Sequence, residues 1–316
     1  MSEPQPPLLI VNPASGGGRT GGAFAAMRTA IEHALGAVEV RFTKARGHAI
    51  ELAREAASER RARVVAVGGD GTLHEVVNGA LQGAASGGAA PIVGLIGQGT
   101  GGDFRKTLGL EHRLDHYLAV IKRAEPRPID VGAIAFVGPD GARRERFFVN
   151  VVSAGMGGLV DRYVATMPAG LSGKAAYLAA SLRALATCPR GAVRATIEDD
   201  AGTREAPLVT YMIAICNGRY FGGGMQVAPM ARPDDGRLEV VSIAGDSKLA
   251  FALASRKIYD GSHLAEPCTT HFSCRAITLA PARTGDPALL LDVDGEPLGA
   301  LPLEVRVRAA AVRFLA

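Results

Sequence analysis

Aromatic side chains are scarce in this sequence, since tryptophan is absent and aromatic residues make up only 5% of 316 residues. Proteins that bind single-stranded nucleic acid stack bases on aromatic rings and follow the phosphate backbone with clustered lysines and arginines. The net charge of this chain is only +4, and its cations are scattered. We therefore expect no nucleic-acid partner.

Cysteines are few and long apolar segments are missing. The four cysteines, Cys188, Cys216, Cys268 and Cys274, form no C-x-x-C pair, which indicates reduced thiols rather than a disulfide framework or a zinc site. No apolar run reaches the roughly 18 residues of a membrane-spanning helix. The first residues lack the basic and apolar regions of a signal peptide. We expect a cytoplasmic protein whose contact with membranes is peripheral.

Strand and helix patterns alternate over residues 1–131. Short apolar runs predict strands, and periodic apolar positions predict helices between them. The predicted strands are Leu8–Val11, Val38–Phe42, Val64–Val67 and Ile92–Ile96, and the predicted helices include Ala23–Leu35, His48–Arg60 and Leu114–Lys122. This order predicts an α/β domain with a parallel sheet, whose ligands bind where the strands end.

Strand-like runs dominate residues 132–316 and predict an antiparallel β-sandwich or barrel. Single strands are predicted over Arg146–Val152, Val209–Cys216 and Thr270–Leu279. The two prolines of "EPRPIDVG", residues 125–132, predict a boundary between the two domains.

One predicted helix within the second domain would place four leucines on one face. Packing in the core is the favoured interpretation and contact with lipid the alternative. These leucines are Leu171, Leu178, Leu182 and Leu185.

Three glycine-rich loops follow predicted strands, in residues 11–22, 68–74 and 94–106. A glycine loop that leads into a helix presents backbone N–H groups to phosphate. In the first loop, Gly16, Gly18 and Gly21 match the G-x-G-x-x-G spacing of dinucleotide-binding turns, and Arg19 adds a positive charge. The match alone is weak, and a plain flexible turn is the alternative.

Two of these loops carry an aspartate, Asp70 and Asp103. An acid inside an anion site indicates a metal ion between carboxylate and phosphate, and Mg²⁺ favours a few carboxylates with substrate phosphates. Thr72 is predicted to cap the helix that follows. The alternative is that Asp70 is only a turn residue.

Later acidic residues have two interpretations each. The segment "DVDGEP" lies between two predicted strands and contains Asp292, Asp294 and Glu296. It is interpreted either as a hairpin turn or as a source of reactive carboxylates. A glycine-rich region ends with Asp234 and Asp235, and it is interpreted either as a turn or as a loop that binds a divalent ion. The sequence contains neither a Walker A motif nor G-x-S-x-G.

An ordered set of motifs spans nearly the whole chain. The motifs are "VNPASGGGR", "TKARGHA", "GGDGTLHEVVNG", "GQGTGGDF", "IDVG", "NGRYFGGGMQVAP", "DDGRLEV" and "DGEP". Together they resemble the diacylglycerol kinase catalytic-domain family, in its soluble bacterial lipid kinase branch, which is related to sphingosine and ceramide kinases. The resemblance implies an N-terminal α/β domain that binds ATP, a C-terminal β-sandwich, and a lipid hydroxyl held in the cleft between them.

The resemblance also implies roles for individual residues. Asp70 and Asp103 would organise Mg²⁺ and the transferring phosphoryl group, with Glu296 as general base and Asp294 beside it. Arg19 and Asp130 would support this charge network. A structural Mg²⁺ would be bound by Asp235 and the carbonyl oxygens of Arg232 and Arg237. The residues expected to contact nucleotide are Asn12, Arg19, Thr43, Gly69, Gly71, Thr72, Leu73, His74, Thr100 and Asp103.

Four positions depart from the family pattern. His74 and Gly102 stand where asparagine is usual, Gly97 replaces proline, and Lys106 replaces arginine. Since Asp70 and Glu296 are intact, we expect an active, ATP-dependent lipid kinase. Diacylglycerol is the first expected acceptor, ceramide or another sphingoid lipid the second, and phosphatidylglycerol a third. The alternatives are an NAD kinase and a nucleotide-binding regulatory protein without turnover. The sequence is compatible with a homodimer.

Overall fold

The computed structural model describes residues 5–99, 101–138, 140–166 and 173–316, and their side chains except those of 161, 165 and 173–178. The chain divides into two compact units, one formed by the chain up to Val131 with Ala309–Ala316, the other by Gly132–Arg308. The sequence-based prediction assigns residues 309–316 to the second domain. They belong to the first because the last strand ends beside its sheet, where Phe314 pairs with Val93.

The first unit alternates strands and helices, as predicted. Its strands are β1 (Leu8–Val11), β2 (Glu39–Phe42), β3 (Arg63–Gly68) and β4 (Ile92–Gly97). Its helices are α1 (Arg19–Leu35), α2 (His48–Ser58), α3 (Asp70–Ala85), α4 (Asp103–Thr107) and α5 (Leu114–Arg123). The strands pair in the order β2-β1-β3-β4 and all run parallel. The carboxyl ends of β1, β3 and β4 therefore lie along one edge.

Continuous apolar runs explain the parallel sheet, because helices cover both faces of such a sheet. All four residues of β1 are buried, as are Val64–Val67 of β3. Helix α1 buries Phe24, Met27 and Ile31, whose spacing of three and four residues places them on one side. This packing confirms the predicted α/β class of the first domain.

The second unit consists mainly of antiparallel strands. Its strands are β5 (Pro126–Val137), β6 (Arg143–Phe148), β7 (Val151–Gly155), β8 (Gly191–Asp199), β9 (Gly202–Thr210), β10 (Met212–Cys216), β11 (Leu238–Ile243), β12 (Thr269–Cys274), β13 (Ala276–Pro281), β14 (Leu290–Val293), β15 (Glu296–Ala300) and β16 (Leu303–Leu315). Strands β5 and β16 contribute residues to both units. Its helices are α6 (Met156–Ala165), α7 (Gly173–Thr187) and α8 (Lys248–Arg256), followed by the 3₁₀ turns Lys257–Tyr259 and Ser262–Ala265.

Two sheets form the sandwich of the second unit. One pairs β16, β13, β8 and β9 and includes β5 and β6, and the other has the order β12-β11-β10-β7-β14-β15. Apolar side chains of both sheets share one core, among them Ile197 and Ile277 from the first and Ile215 and Val240 from the second. The predicted antiparallel β-sandwich is confirmed.

Several boundaries differ from the sequence-based expectation. The proline-containing boundary segment lies inside a strand, since β5 begins at Pro126 and continues to Val137, and the two units divide within it, between Val131 and Gly132. Three long predicted strands are each two strands, divided near residues 149, 211 and 275. At each division the chain passes from one sheet to the other, for example from β12 to β13. Apolar periodicity does not reveal such a change, because both sheets contribute to the same core.

The predicted leucine face is only partly buried. Leu185 packs against the apolar cluster formed by the second sheet and α8, whereas Leu182 is 60% exposed. Leu171 and the side chain of Leu178 lie outside the described residues.

Among the helices that the structure describes, none is long and apolar enough to cross a bilayer. The four cysteines are free, and burial raises the pKa of Cys188 to about 11.

Candidate active site

The three glycine-rich loops meet at the carboxyl edge of the parallel sheet. Asn12 follows β1 and its N–H donates to the carbonyl of Val67 in β3 (3.0 Å), while the N–H of Gln98 donates to Gly68 (2.7 Å). These bonds continue the strand pairing beyond the strand ends. The three loops therefore begin at neighbouring strand ends that are hydrogen-bonded to one another.

Close backbone contact explains why this edge is rich in glycine. A Cβ atom on Gly99 would lie 2.6 Å from the Cα of Gly69, and one on Gly16 would lie 2.7 Å from the carbonyl oxygen of Gln98. Gly16 also has a φ of 63°, which other residues rarely adopt. Larger side chains would separate the loops, so the glycines keep the backbone of all three together.

Asp70 and Asp103 face each other at this edge. The N–H of Asp103 donates to Oδ2 of Asp70 (3.0 Å), and Lys106 Nζ lies 2.8 Å from Oδ1 of Asp103. A Cβ atom on Gly101 would lie 3.4 Å from Asp70 Oδ2 and 3.8 Å from Asp103 Oδ2. Both carboxylates thus border the same small space, which the missing side chain of Gly101 leaves open.

This donor set suits Mg²⁺ only when other oxygen atoms complete the coordination. The described residues contain no group of three or more histidine, cysteine or acidic side chains that could hold a metal ion. Mg²⁺ is commonly bound by one or two carboxylates, water and substrate phosphates. Asp70 and Asp103 fit that pattern.

Thr72 has a different role from the predicted helix cap. Helix α3 begins at Asp70 with Gly69 as its N-cap residue, so Thr72 already lies inside the first turn. Its hydroxyl accepts a hydrogen bond from Asn12 Nδ2 (3.1 Å). This bond joins the first loop to the second, a tertiary contact that helix-capping patterns do not include.

The predicted nucleotide-contacting residues divide into two groups. Gly69 and Gly71 reach the surface, whereas Leu73 and His74 are 0% and 1% exposed. Leu73 and His74 are buried because α3 packs against β3, β4 and α2, and their contact with nucleotide stays a prediction. Thr100 lies outside the described residues.

Arg19, Thr43 and Asp130 act on the backbone in this structure. Arg19 Nε donates to the carbonyl of Gly16 (2.8 Å) and so braces the first loop. The N–H of Thr43 donates to Val11 (2.9 Å), which places Thr43 beside the end of β1. The buried Asp130 accepts from the N–H of Ala310 (2.7 Å) and ties β5 to β16.

Glu75 is a buried acid on α3 that the sequence motifs do not single out. Its two carboxylate oxygens accept from the N–H groups of Gly47 (2.8 Å) and Ala49 (3.1 Å) at the start of α2. The loop that carries Thr43 is thereby fixed to α3. The only signal in the sequence is an acid within an otherwise buried helical face, which does not reveal its partner.

The structure shows the surroundings of three positions that depart from the family pattern. A Cβ atom at Gly97 would lie 2.5 Å from the hydroxyl oxygen of Tyr117, so proline has no room here. Burial raises the pKa of Tyr117, which keeps this phenol neutral. Gly102 has a φ of 58°, a conformation that asparagine also tolerates. Lys106 retains a positive charge beside Asp103.

In the second unit, Asp294 and Gly295 form the two-residue turn between β14 and β15. Their φ angles of 49° and 88° are those of a type I′ hairpin turn, which Asp-Gly favours. The Asp294 carboxylate accepts three backbone hydrogen bonds, from Val149 (2.9 Å), Asn150 (3.1 Å) and Val151 (2.9 Å). These three donors orient the Asp294 carboxylate, and its predicted catalytic role stays a prediction.

Two further acids, Asp292 and Glu296, belong to this hairpin. Glu296 directly follows the turn. It is the first residue of β15, opposite Val293, and its side chain is half-buried. Asp292 accepts from the N–H of Gly295 (3.3 Å). The type I′ turn and the Asp294 anchor therefore fix the backbone position of Glu296.

The predicted structural Mg²⁺ site lies on an exposed turn. Oδ1 of Asp235 accepts from the N–H of Arg237 (3.0 Å), and the Arg237 guanidinium is bonded to Asp200. The Arg232 side chain lies 3.6 Å from Asp234. These contacts account for a turn, and the Mg²⁺ site at Arg232, Asp235 and Arg237 stays a prediction.

Two family models match this chain. The model described as the diacylglycerol kinase catalytic domain matches residues 6–134. The model described as the YegS C-terminal NAD kinase beta sandwich-like domain matches residues 150–316, more than half of the chain.

Individual proteins and a solved structure are also similar to this chain. A probable lipid kinase YegS-like from Chromohalobacter salexigens is 35% identical over 205 residues, covering 65% of this chain and 61% of the relative. The lipid kinase YegS of Escherichia coli K12 is 26% identical over 277 residues, covering 87% of this chain and 85% of the relative. A crystal structure described as a diacylglycerol kinase from Bacillus anthracis str. Sterne superposes with a TM-score of 0.70 at 19% identity, over 100% of this chain and 98% of that chain. At that identity, the superposition shows the fold alone.

Proposed function

Because this chain belongs to the lipid kinase family with the YegS C-terminal domain, we propose that it transfers the γ-phosphate of ATP to a primary hydroxyl of a membrane lipid. Diacylglycerol is the first proposed acceptor, and ceramide or another sphingoid lipid is the second. The observation that carries the proposal is the pair Asp70 and Asp103, which border one space at the meeting point of three glycine loops.

The loops supply what phosphoryl transfer requires. This reaction depends on alignment and charge neutralisation more than on covalent chemistry of the protein. The backbone around Gly16, Gly69 and Gly99 approaches closely enough to offer N–H groups to phosphate. Asp70 and Asp103 would hold Mg²⁺, which when bound neutralises phosphate oxygens. Lys106 keeps a cation beside the same space.

Glu296 is the proposed general base. A lipid alcohol attacks the γ-phosphorus while its proton passes to the Glu296 carboxylate, and ADP leaves with the electrons of the broken P–O bond. General-base catalysis by a positioned side chain contributes about 10²–10⁴-fold. Asp294 serves this step indirectly, by holding the hairpin that carries Glu296.

A transfer assay with ATP labelled at the γ-phosphate tests the proposal. The acceptors are diacylglycerol, ceramide, sphingosine and phosphatidylglycerol in detergent micelles, together with NAD. Label in one lipid supports the proposal and identifies the acceptor. Label only in NAD would instead establish an NAD kinase, and bound ATP without any transfer would favour a regulatory protein.

Two variants test the residues with matched controls. Asp70→Asn and Glu296→Gln preserve side-chain shape, and each should lower turnover by at least about 100-fold, with ATP binding nearly intact for Glu296→Gln. The controls Asp115→Asn and Glu304→Gln alter exposed, ion-paired acids of the same two units. Full turnover in Glu296→Gln would exclude that residue as the base.

A further inference from the structure

The third glycine loop, which leads from the end of β4 to the start of α4, is bonded to the second loop near both of its ends. At its start, the N–H of Gln98 donates to the carbonyl of Gly68 (2.7 Å). At its end, the N–H of Asp103 donates to Oδ2 of Asp70 (3.0 Å). The position of Asp103 opposite Asp70 therefore depends on what supports the chain between these two bonds.

Arg105 lies against both ends of this loop. A Cβ atom on Gly97 would lie 3.7 Å from the Cδ of Arg105, and one on Gly102 would lie 2.9 Å from its Nε. The Nη1 of Arg105 donates to the carbonyl of Leu110 (2.7 Å), whereas its buried Nε has no hydrogen-bond partner among the described residues. Because packed side chains transmit displacements, a shift of Gly97 would move Arg105 and, with it, the helix α4 that begins at Asp103.

Tyr117 approaches Gly97 from α5. A Cβ atom on Gly97 would lie 2.5 Å from the hydroxyl oxygen of Tyr117 and 3.2 Å from its Cζ, so the hydroxyl takes the place of a side chain. The Nδ1 of His112 lies 3.2 Å from the same oxygen and orients it. Tyr117 is only 1% exposed, and α5 packs against β4. The ring therefore has a fixed position beside the first residue of the loop.

Two charges act on the Tyr117 hydroxyl. Burial raises the pKa of Tyr117 most strongly, the charge of Arg105 lowers it, and the charge of Asp70 raises it. The hydroxyl therefore lies within electrostatic reach of one of the two carboxylates that would hold Mg²⁺. Its contact with Gly97 adjoins the candidate site.

We propose that Tyr117 is a positioning residue for magnesium-bound nucleotide, because its hydroxyl sets the start of the third loop and thereby the place of Asp103 opposite Asp70. Since it is buried, Tyr117 acts through Gly97 and Arg105 rather than by touching the substrate. Mg²⁺ demands near-ideal octahedral geometry, so a small displacement of one carboxylate weakens its binding. This role deepens the proposed function and rests on it, since Mg²⁺ and ATP belong to that function.

Calorimetric binding of ATP to the full-length chain tests this role. The dissociation constant is measured once with Mg²⁺ and once with EDTA, and the factor by which Mg²⁺ tightens binding is called here the magnesium gain. We expect Gly97→Ala to lower the magnesium gain at least about tenfold, because groups that orient metal ligands typically contribute about 10–100-fold to metal affinity. Tyr117→Phe, which removes only the hydroxyl, should lower it about fivefold.

The double variant Gly97→Ala/Tyr117→Phe distinguishes positioning from a general loss of stability. The new methyl group enters the space that the hydroxyl leaves, so the double variant should recover the magnesium gain of Tyr117→Phe alone. Two substitutions that act independently would instead add their effects. A double variant with a magnesium gain as low as that of Gly97→Ala, or lower, overturns the proposal.

Two matched controls should keep the magnesium gain of the wild type. Gly94→Ala adds a methyl group to the same strand, where the Cγ2 of Val65 would lie 3.4 Å away and no neighbour is closer. Tyr211→Phe removes the hydroxyl of a buried tyrosine in the second unit.

The remaining outcomes separate this role from the proposed function. If Gly97→Ala shows no urea-unfolding transition, Tyr117→Phe decides alone, and an unchanged magnesium gain in that variant overturns the proposal. Equal magnesium gains in the wild type and all variants, with transfer of phosphate to lipid intact, overturn this role and leave the kinase proposal standing. A wild type that binds no ATP overturns the proposed function and this role with it.

Discussion

Replacing Asp294 by asparagine removes the negative charge that orders the junction between β6 and β7, with almost no change of shape. In the wild type, Oδ2 accepts from Val149, and Oδ1 accepts from Asn150 and Val151. An asparagine carbonyl oxygen in the place of Oδ1 can keep two of these bonds. Its NH₂ group would then face the N–H of Val149, donor against donor.

The expected cost follows from these three bonds. Hydrogen bonds to charged groups contribute about 1.5–3 kcal/mol, those between neutral groups about 0.5–1.5, and an unsatisfied buried donor costs about 1–3 kcal/mol. Weakening two bonds and losing the third therefore destabilises this junction by about 3 kcal/mol, with a range of roughly 2–5. Asparagine tolerates the positive φ of this position, so backbone strain adds little.

Hydrogen exchange monitored by mass spectrometry measures this locally. Protection of the amides at residues 149–151 should fall by about a hundredfold, which corresponds to about 3 kcal/mol. The control Asp140→Asn alters an exposed turn carboxylate that accepts from the backbone N–H of Ala142 (3.3 Å) and from the Arg144 guanidinium (2.6 Å), and it should leave these amides unchanged. Unchanged protection in Asp294→Asn would refute the anchor role. Turnover as low as in Glu296→Gln would refute its indirect role in catalysis.

Two further predictions concern packing and pH. Gly99→Ala should lower the urea-unfolding midpoint and the affinity for ATP, because its Cβ would press on Gly69 and overpacking costs about 1–3 kcal/mol. The control Gly22→Ala, whose Cβ would lie in open space on α1, should lower neither quantity. Equal behaviour of the two variants would contradict the close approach of Gly99 to Gly69. Burial lowers the pKa of His263, whose Nε2 bonds the carbonyl of Val227 (3.0 Å). The neutral ring is favoured in the folded state, so its contribution to stability is present above the unfolded pKa of about 6.5 and is lost as the pH falls below it. The melting temperature of the wild type should then drop more steeply below about pH 6.5 than that of His263→Gln, and parallel curves would exclude this residue.

Local patterns were sufficient for much of the first unit. The strand over Leu8–Val11 begins and ends where predicted, and the others differ by one residue or so. Buried parallel strands are continuous apolar runs bounded by glycine or polar residues, so their limits are visible in the sequence. The meeting of Asp70 and Asp103 was also predictable, because parallel strands end at a common edge.

Contacts between distant segments were not predictable in the same way. Thr72 was expected to cap its own helix but bonds Asn12. The bonds from the Asp294 carboxylate to residues 149–151 were not expected. A hydroxyl or a carboxylate satisfies whichever donors the fold brings to it, and local sequence does not specify them. The Gly97–Tyr117 contact is of the same kind.

The sequence by itself determined the order of the elements, the glycines that let three loops come together, and the type I′ turn that only a residue pair such as Asp-Gly forms without strain. These are properties of short segments, and steric limits on the backbone decide them. The tertiary structure alone decided that Glu75 and Asp294 hold backbone N–H groups of distant segments, and it exposed Leu249 and Leu253 on the outer face of α8. The physical reason is that hydrogen bonding and burial depend on the whole set of neighbours, most of which are distant along the chain.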